Sequence, residues 1–132
     1  MKRRVLAFSF LLLLFATPSW AQDHPSYQTL WDSVAQDADC APAEYPDFIL
    51  VTCQKAYAMW YFTKPNHPAH PGVIKRTIAQ EANGDVTANE QGWSFASDAA
   101  QPAFKTWLGQ IQDLDRQARE DFEKTNGRKK PN

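Results

Sequence analysis

Apolar residues recur at steps of three and four at Tyr27, Leu30, Trp31, Val34 and Ala38. That spacing puts them on one stripe of a short helix, with Pro25 suited to its first turn. Cys40 to Pro46 carries two prolines and reads as a loop. The period then shortens. Phe48 to Cys53 and Tyr57 to Thr63 are β-branched and aromatic runs separated by Gln54, Lys55 and Ala56, which predicts a hairpin. Val73 to Gln80 and Asp85 to Asn89 flank Ala82-Asn83-Gly84, and Asn-Gly is the strongest short hairpin signal. Gly92 to Phe95 either extends the last strand or begins another. From about Ala99 the helical period returns in Phe104, Trp107, Leu108, Ile111, Leu114, Ala118 and Phe122. Ser97 or Asp98 is placed to cap this helix, Pro102 falls in its first turn, and Asn126-Gly127 supplies a stop. The elements predict an α+β fold: an N-terminal helix, a four-stranded, mostly antiparallel sheet, and a long C-terminal helix packed on one sheet face.

The N-terminus follows a different pattern. Lys2, Arg3 and Arg4 precede an apolar run from Val5 to Ala16, then Pro18, with small residues at Ser19 and Ala21. This is the layout of a secretory signal peptide cleaved before Gln22, and the apolar run is short for a membrane span. The expected organisation is a leader over residues 1–21, one exported domain over residues 22–125 and a disordered basic tail over residues 126–132. Removing 21 of the 132 residues takes away three basic side chains and no acid. That leaves 111 residues with 11 basic against 15 acidic side chains, a formal charge of −4. Nucleic-acid binders show the opposite balance, so no nucleic-acid partner is expected. No integral membrane segment is expected after cleavage either.

Export changes the meaning of the two cysteines. In an oxidising compartment Cys40 and Cys53 are expected to form a disulfide, and in the chain-entropy model a loop of this size contributes about 3 kcal/mol. Their spacing matches neither a C-x-x-C redox motif nor a zinc knuckle.

The most unusual stretch is Lys64-Pro65-Asn66-His67-Pro68-Ala69-His70-Pro71-Gly72, with a proline at every third position. Proline fixes its own φ and biases the preceding residue toward extended geometry, so a short polyproline II segment is expected. It would align Lys64, His67 and His70 on one edge. That rise separates neighbouring edge positions by roughly 9 Å, which makes the two imidazoles poor partners for a single metal ion. The edge reads either as a rigid connector or as a partner-binding loop, since a stiff loop loses little entropy on binding. A second metal candidate is Gln22-Asp23-His24, where a freed amine, two amides and an imidazole suit Cu(II) or Ni(II); cyclisation of a terminal Gln would remove that amine. No metal or cofactor is assigned from these motifs.

The strand Tyr57 to Phe62 is apolar on both faces, with Ala58, Trp60 and Phe62 on one and Tyr57, Met59 and Tyr61 on the other. The tyrosine face is expected either under the first helix or open as an aromatic binding surface of Tyr57 and Tyr61. Arg76, between Ile74 and Ile78, needs a carboxylate partner if it points inward. Asp113, Asp115, Glu120, Asp121 and Glu123 are read as the solvated side of the last helix, with Arg116–Glu120 and Arg119–Glu123 as four-residue pairs. Ser94, Ser97, Thr63 and the histidines form no local nucleophile–base motif. The leading reading is a periplasmic or secreted, disulfide-bonded binding module, inhibitor-like, immunity-like or an envelope accessory, with a protein partner in the cell envelope. The alternative is an exported hydrolase or metal-handling protein using His67 and His70.

Overall fold

A computed structural model describes residues 24–127. The leader, Gln22 and Asp23 of the N-terminal metal candidate, and residues 128–132 lie outside the described residues. His24 is exposed ahead of the first helix. Helix α1 spans Tyr27–Ala35 and is capped by Ser26, whose hydroxyl accepts from the Thr29 N–H at 3.0 Å. Pro25 therefore precedes the cap, and Ala38 falls in a turn beyond the helix. Leu30 and Val34 are its buried positions.

Five strands follow, not four: β1 (Cys40–Glu44), β2 (Phe48–Cys53), β3 (Ala58–Thr63), β4 (Gly72–Gln80) and β5 (Val86–Ser94), joined in chain order as an antiparallel sheet. The added strand is the segment that reads as a loop. Pro42 is tolerated there because β1 is an edge strand, and the Cys40–Cys53 disulfide joins residues directly opposite each other in the β1–β2 ladder. The β4–β5 turn is the expected Asn-Gly one, with Gly84 at φ 89°. Strand β5 runs unbroken through Gly92 to Ser94. After a 3-10 turn at Asp98–Ala100, helix α2 spans Gln101–Gly127.

The two helices cover opposite sheet faces. On the α1 side Leu30 and Val34 pack with Val51, Cys53, Ala58, Phe62 and Val73. On the α2 side Phe104, Trp107 and Ile111 pack with Ala69 and Ile74, and Tyr61 and Leu108 border them. The face carrying Tyr61 is thus the one under the long helix, the reverse of its expected cover by α1. Ala58 and Phe62 fill the α1 side, and each apolar row of β3 finds its own helix. Gly92 sets the closeness of the α2 contact: a Cβ there would lie 2.8 Å from Cζ of Phe104. Each buried aromatic of this size contributes roughly 2–3 kcal/mol of transfer free energy.

Candidate functional site

The His/Pro loop does not form a polyproline II edge. Two consecutive turns close it, with His67 N–H donating to the Lys64 carbonyl at 2.9 Å and His70 N–H to the His67 carbonyl at 3.0 Å. The His70–Pro71 bond is cis. The physical reason for the difference is anchoring. Thr63, fully buried, accepts from the Gly72 N–H and donates to the Gly72 carbonyl, while its own carbonyl accepts from Tyr27 Oη at 2.7 Å. His70 Nδ1 lies 3.0 Å from the Thr63 carbonyl and from Thr63 Oγ1, and its ring meets Tyr27 edge-on. His67 points to the other layer, 4.8 Å from the Trp107 ring, with Nδ1 accepting from the Ala69 N–H. Burial holds its pKa below the ordinary histidine value, although Asp47 opposes that shift. Lys64 is paired with Glu44 at 3.0 Å. The three edge residues therefore diverge, one imidazole toward each helix.

Tyr57 and Tyr61 separate as well. Tyr57 lies in the β2–β3 turn with φ 47° and 71% exposure, whereas Tyr61 joins a row with Phe48 and Tyr45.

A more chemical constellation sits beneath the middle of α2. Arg76 on β4 points inward, as its position between two isoleucines implied, and is ion-paired with Asp115 of α2. Asp115 is 8% exposed, so it belongs to the core-facing stripe of the helix and not to its solvated side. The Asp113–Arg116–Glu120 cluster does lie on that solvated side. Glu123 has no described side chain. Arg76 Nη1 contacts Met59 Sδ at 3.4 Å, and Tyr61, on the same face of β3 as Met59, has its hydroxyl pKa raised mainly by burial. Directly across the ladder from Arg76 stands Glu90 of β5. Its carboxyl is pushed up to about 7, first by a hydrogen bond to Asp115, then by burial and by the Asp115 charge. Two carboxylates are both acceptors, so that bond exists only while Glu90 holds a proton. Among the described residues, the buried side-chain atoms without a partner are Arg76 Nε and Asp115 Oδ2, a donor and an acceptor on the two members of the ion pair.

Arg76 and Asp115 line an open cleft of about 500 Å³ between α2 and the β4–β5 hairpin. Ile78, Val86, Ala88 and Ala118 make its apolar wall, and Asp85 and Arg119 stand among its charged groups. Ile78 and Val86 continue outward to a shallow hollow bordered by Tyr57 and Gln80. The strand pairing explains the placement: Arg76, Ile78, Ala88 and Glu90 are same-face neighbours in one register. Of the residues that sequence singled out, Arg76 belongs here, Tyr61 lies on the same sheet face without lining the cleft, and Tyr57 borders the outer hollow. Asp115 is expected from sequence on the solvated side of the helix, and Glu90 and the cleft wall carry no signal of their own. A signal existed for Asp115, which lies four residues after Ile111 and so on the apolar stripe.

Among the described residues no group of three His, Cys, Asp or Glu side chains is placed to hold a metal ion, and no helix is long and apolar enough to cross a membrane. The chain matches no protein-family model, and no curated protein or solved structure matches it.

Proposed function

We propose that this chain is an exported binding module that recognises a segment of an envelope protein without covalent chemistry, and that the α2/β4–β5 cleft receives that segment. The single observation carrying this reading is the cleft itself, an apolar-walled recess of about 500 Å³ that also presents the Arg76–Asp115 ion pair, held by β4 and α2. Rigid walls limit the entropy lost on binding. The disulfide in a small α+β fold agrees with passage through an oxidising compartment, which is where the leader-like N-terminus would deliver it. Lys64, His67 and His70 enter this reading as the anchors of a fixed loop and not as its contact surface.

The test is capture from an envelope fraction with the full chain and with Ala118→Trp, which fills the cleft from the helix side. A partner retained by the first and lost by the second supports the reading. Equal recovery by both refutes it.

One observation favours a catalytic alternative: a carboxyl protonated near neutrality beside an ion-paired one is the arrangement used in general acid catalysis. The two readings separate on the fate of the captured segment. It leaves with unchanged mass under binding and is cleaved by the wild type, but not by Glu90→Gln, under catalysis.

A further inference from the structure

The α1 side of the sheet carries a patch on the face opposite the cleft. Helix α1 packs over Val51, Cys53, Ala58, Phe62 and Val73. Next to that cluster stand Trp60 and Trp93, half-buried, with ring planes 11° from parallel and centroids 5.8 Å apart. The strand register explains why they meet: Trp60 pairs with Lys75 and Trp93 with Val73, so the two indoles are diagonal neighbours across β4. Lys75 holds its ammonium 5.0 Å from the Trp60 ring centroid. No carboxylate of the described residues pairs with that ammonium, and Glu90 of the neighbouring strand is turned to the other face with Arg76. The same face presents Gln91 directly opposite Lys75 and Asn89 directly opposite Thr77. Asn89 and Gln91 are exposed, and among the described residues the side chains of Thr77, Asn89 and Gln91 have no hydrogen-bond partner. Strand register fixes the spacing of all these groups, so the patch is preformed.

We infer that this patch is a second binding site, for an oligosaccharide that contains a hexuronate unit. The apolar face of a pyranose ring stacks on the indole surface of Trp60 and Trp93, and the uronate carboxylate pairs with the Lys75 ammonium. Amides and a hydroxyl both donate and accept, so Thr77, Asn89 and Gln91 match the ring hydroxyls, which do the same. Each simpler ligand leaves part of the patch unused. A neutral sugar provides no counter-ion for the ammonium. An aliphatic acid has no hydroxyls for the three polar side chains. A nucleic acid, charged at every unit, needs a row of cations where this face has one. Because the patch and the α2/β4–β5 cleft lie on opposite faces of the sheet, the inference stands whatever the cleft binds.

The experiment is a chemical-shift titration of the purified protein with trigalacturonate and a glucuronate-containing tetrasaccharide, each also as its methyl ester, and with hexanoate. It uses the wild type, Lys75→Met and Gln91→Glu, each first shown to retain a dispersed spectrum. The first variant keeps an apolar stem over Trp60 and removes the charge. The second alters an exposed side chain and gives Lys75 a carboxylate directly opposite it. The expected result is that at least one of the two uronates shifts the indole N–H signals of Trp60 and Trp93 and the side-chain amide of Gln91. Loss of a charge-assisted contact weakens binding about tenfold, so both variants and the matching methyl ester should show that loss. Equal binding of acid and ester, unchanged affinity in either variant, or hexanoate binding as tightly at the same residues would overturn the inference. Absence of shifts at Trp60, Trp93 and Gln91 with both uronates would overturn it as well.

Discussion

Arg76→Met and Asp115→Leu, made singly and together, test the buried ion pair on which the cleft is built. The two side chains are 18% and 7% exposed, so neither charge is well hydrated when its partner leaves. Removing one member of such a pair costs about 3–5 kcal/mol, because the survivor remains charged in a place that water hardly reaches. Arg76 keeps the larger sliver of solvent, which puts Asp115→Leu toward the lower end at about 3 kcal/mol. Arg76→Met has a pH dependence that Asp115→Leu lacks. With the guanidinium gone, Glu90 and Asp115 face each other without a cation, and protonation relieves the repulsion in acid, so the loss is smaller near pH 5 than near pH 8. In the double variant, the introduced methionine packs against Met59 and the introduced leucine continues the stripe of Ile111, so most of the loss returns. Stability should come within about 1 kcal/mol of wild type, with a coupling of roughly 2–3 kcal/mol or more. Urea unfolding followed by tryptophan fluorescence measures all four proteins, read through the midpoint at constant slope. Strict additivity of the two single losses, or single losses within about 0.5 kcal/mol of zero, would refute the claim that these charges are buried against each other.

Further outcomes follow from the same geometry. A Glu90 pKa raised from 4.5 to about 7 means the folded state holds a proton that the unfolded chain releases, so this group's stabilisation is complete in acid and is lost as pH rises between those values. Screening at a half-buried carboxyl reduces the effect to about 1 kcal/mol, and Glu90→Gln should remove that slope from pH-dependent unfolding. His67 has the opposite sign: its depressed pKa gives stability that is present above the ordinary histidine value and falls away in acid. His67→Asn, whose amide oxygen can replace Nδ1 as acceptor for Ala69, should flatten the acid limb while lowering overall stability by about 1 kcal/mol through loss of the Trp107 contact. Cys40→Ala/Cys53→Ala should lower stability by about 3 kcal/mol in the same unfolding assay; an unchanged midpoint would show that the staple does not constrain the unfolded chain. Gly92→Ala should cost about 1–3 kcal/mol by forcing the Phe104 ring away from β5, measured by the same method and by displaced Phe104 ring resonances.

Helix α1, the two hairpins of β2 to β5 and the α2 stripe were legible in sequence because each rests on local periodicity or local turn chemistry. The α+β class and the disulfide followed from them and from the leader-like N-terminus. Strand β1 was not legible: CAPAE has no strand pattern, and what makes it a strand is its pairing with β2 under the Cys40–Cys53 link. The loop from Lys64 to Pro71 shows the same limit from the other side. Proline restricts local φ, but ring contacts with Tyr27 and Trp107, both distant in sequence and on opposite sheet faces, act with the local hydrogen bonds to Thr63 to bend the loop inward.

The cleft was hidden for a sharper reason. A period of 3.6 allows a step of either three or four from Ile111, and hydrophobicity alone selects Leu114 over Asp115. In the fold Leu114 is 60% exposed and Asp115 is 8% exposed. What reverses the choice is Arg76, pointing up from β4, because a buried guanidinium is satisfied by the acid and not by the leucine. The polar centre of the cleft therefore exists through a conflict between two local rules that only strand register resolves. Once the helix is rotated to present Asp115, that acid stands over the Arg76–Glu90 pair of the ladder, and its influence is the first cause that pushes the Glu90 carboxyl up to about 7.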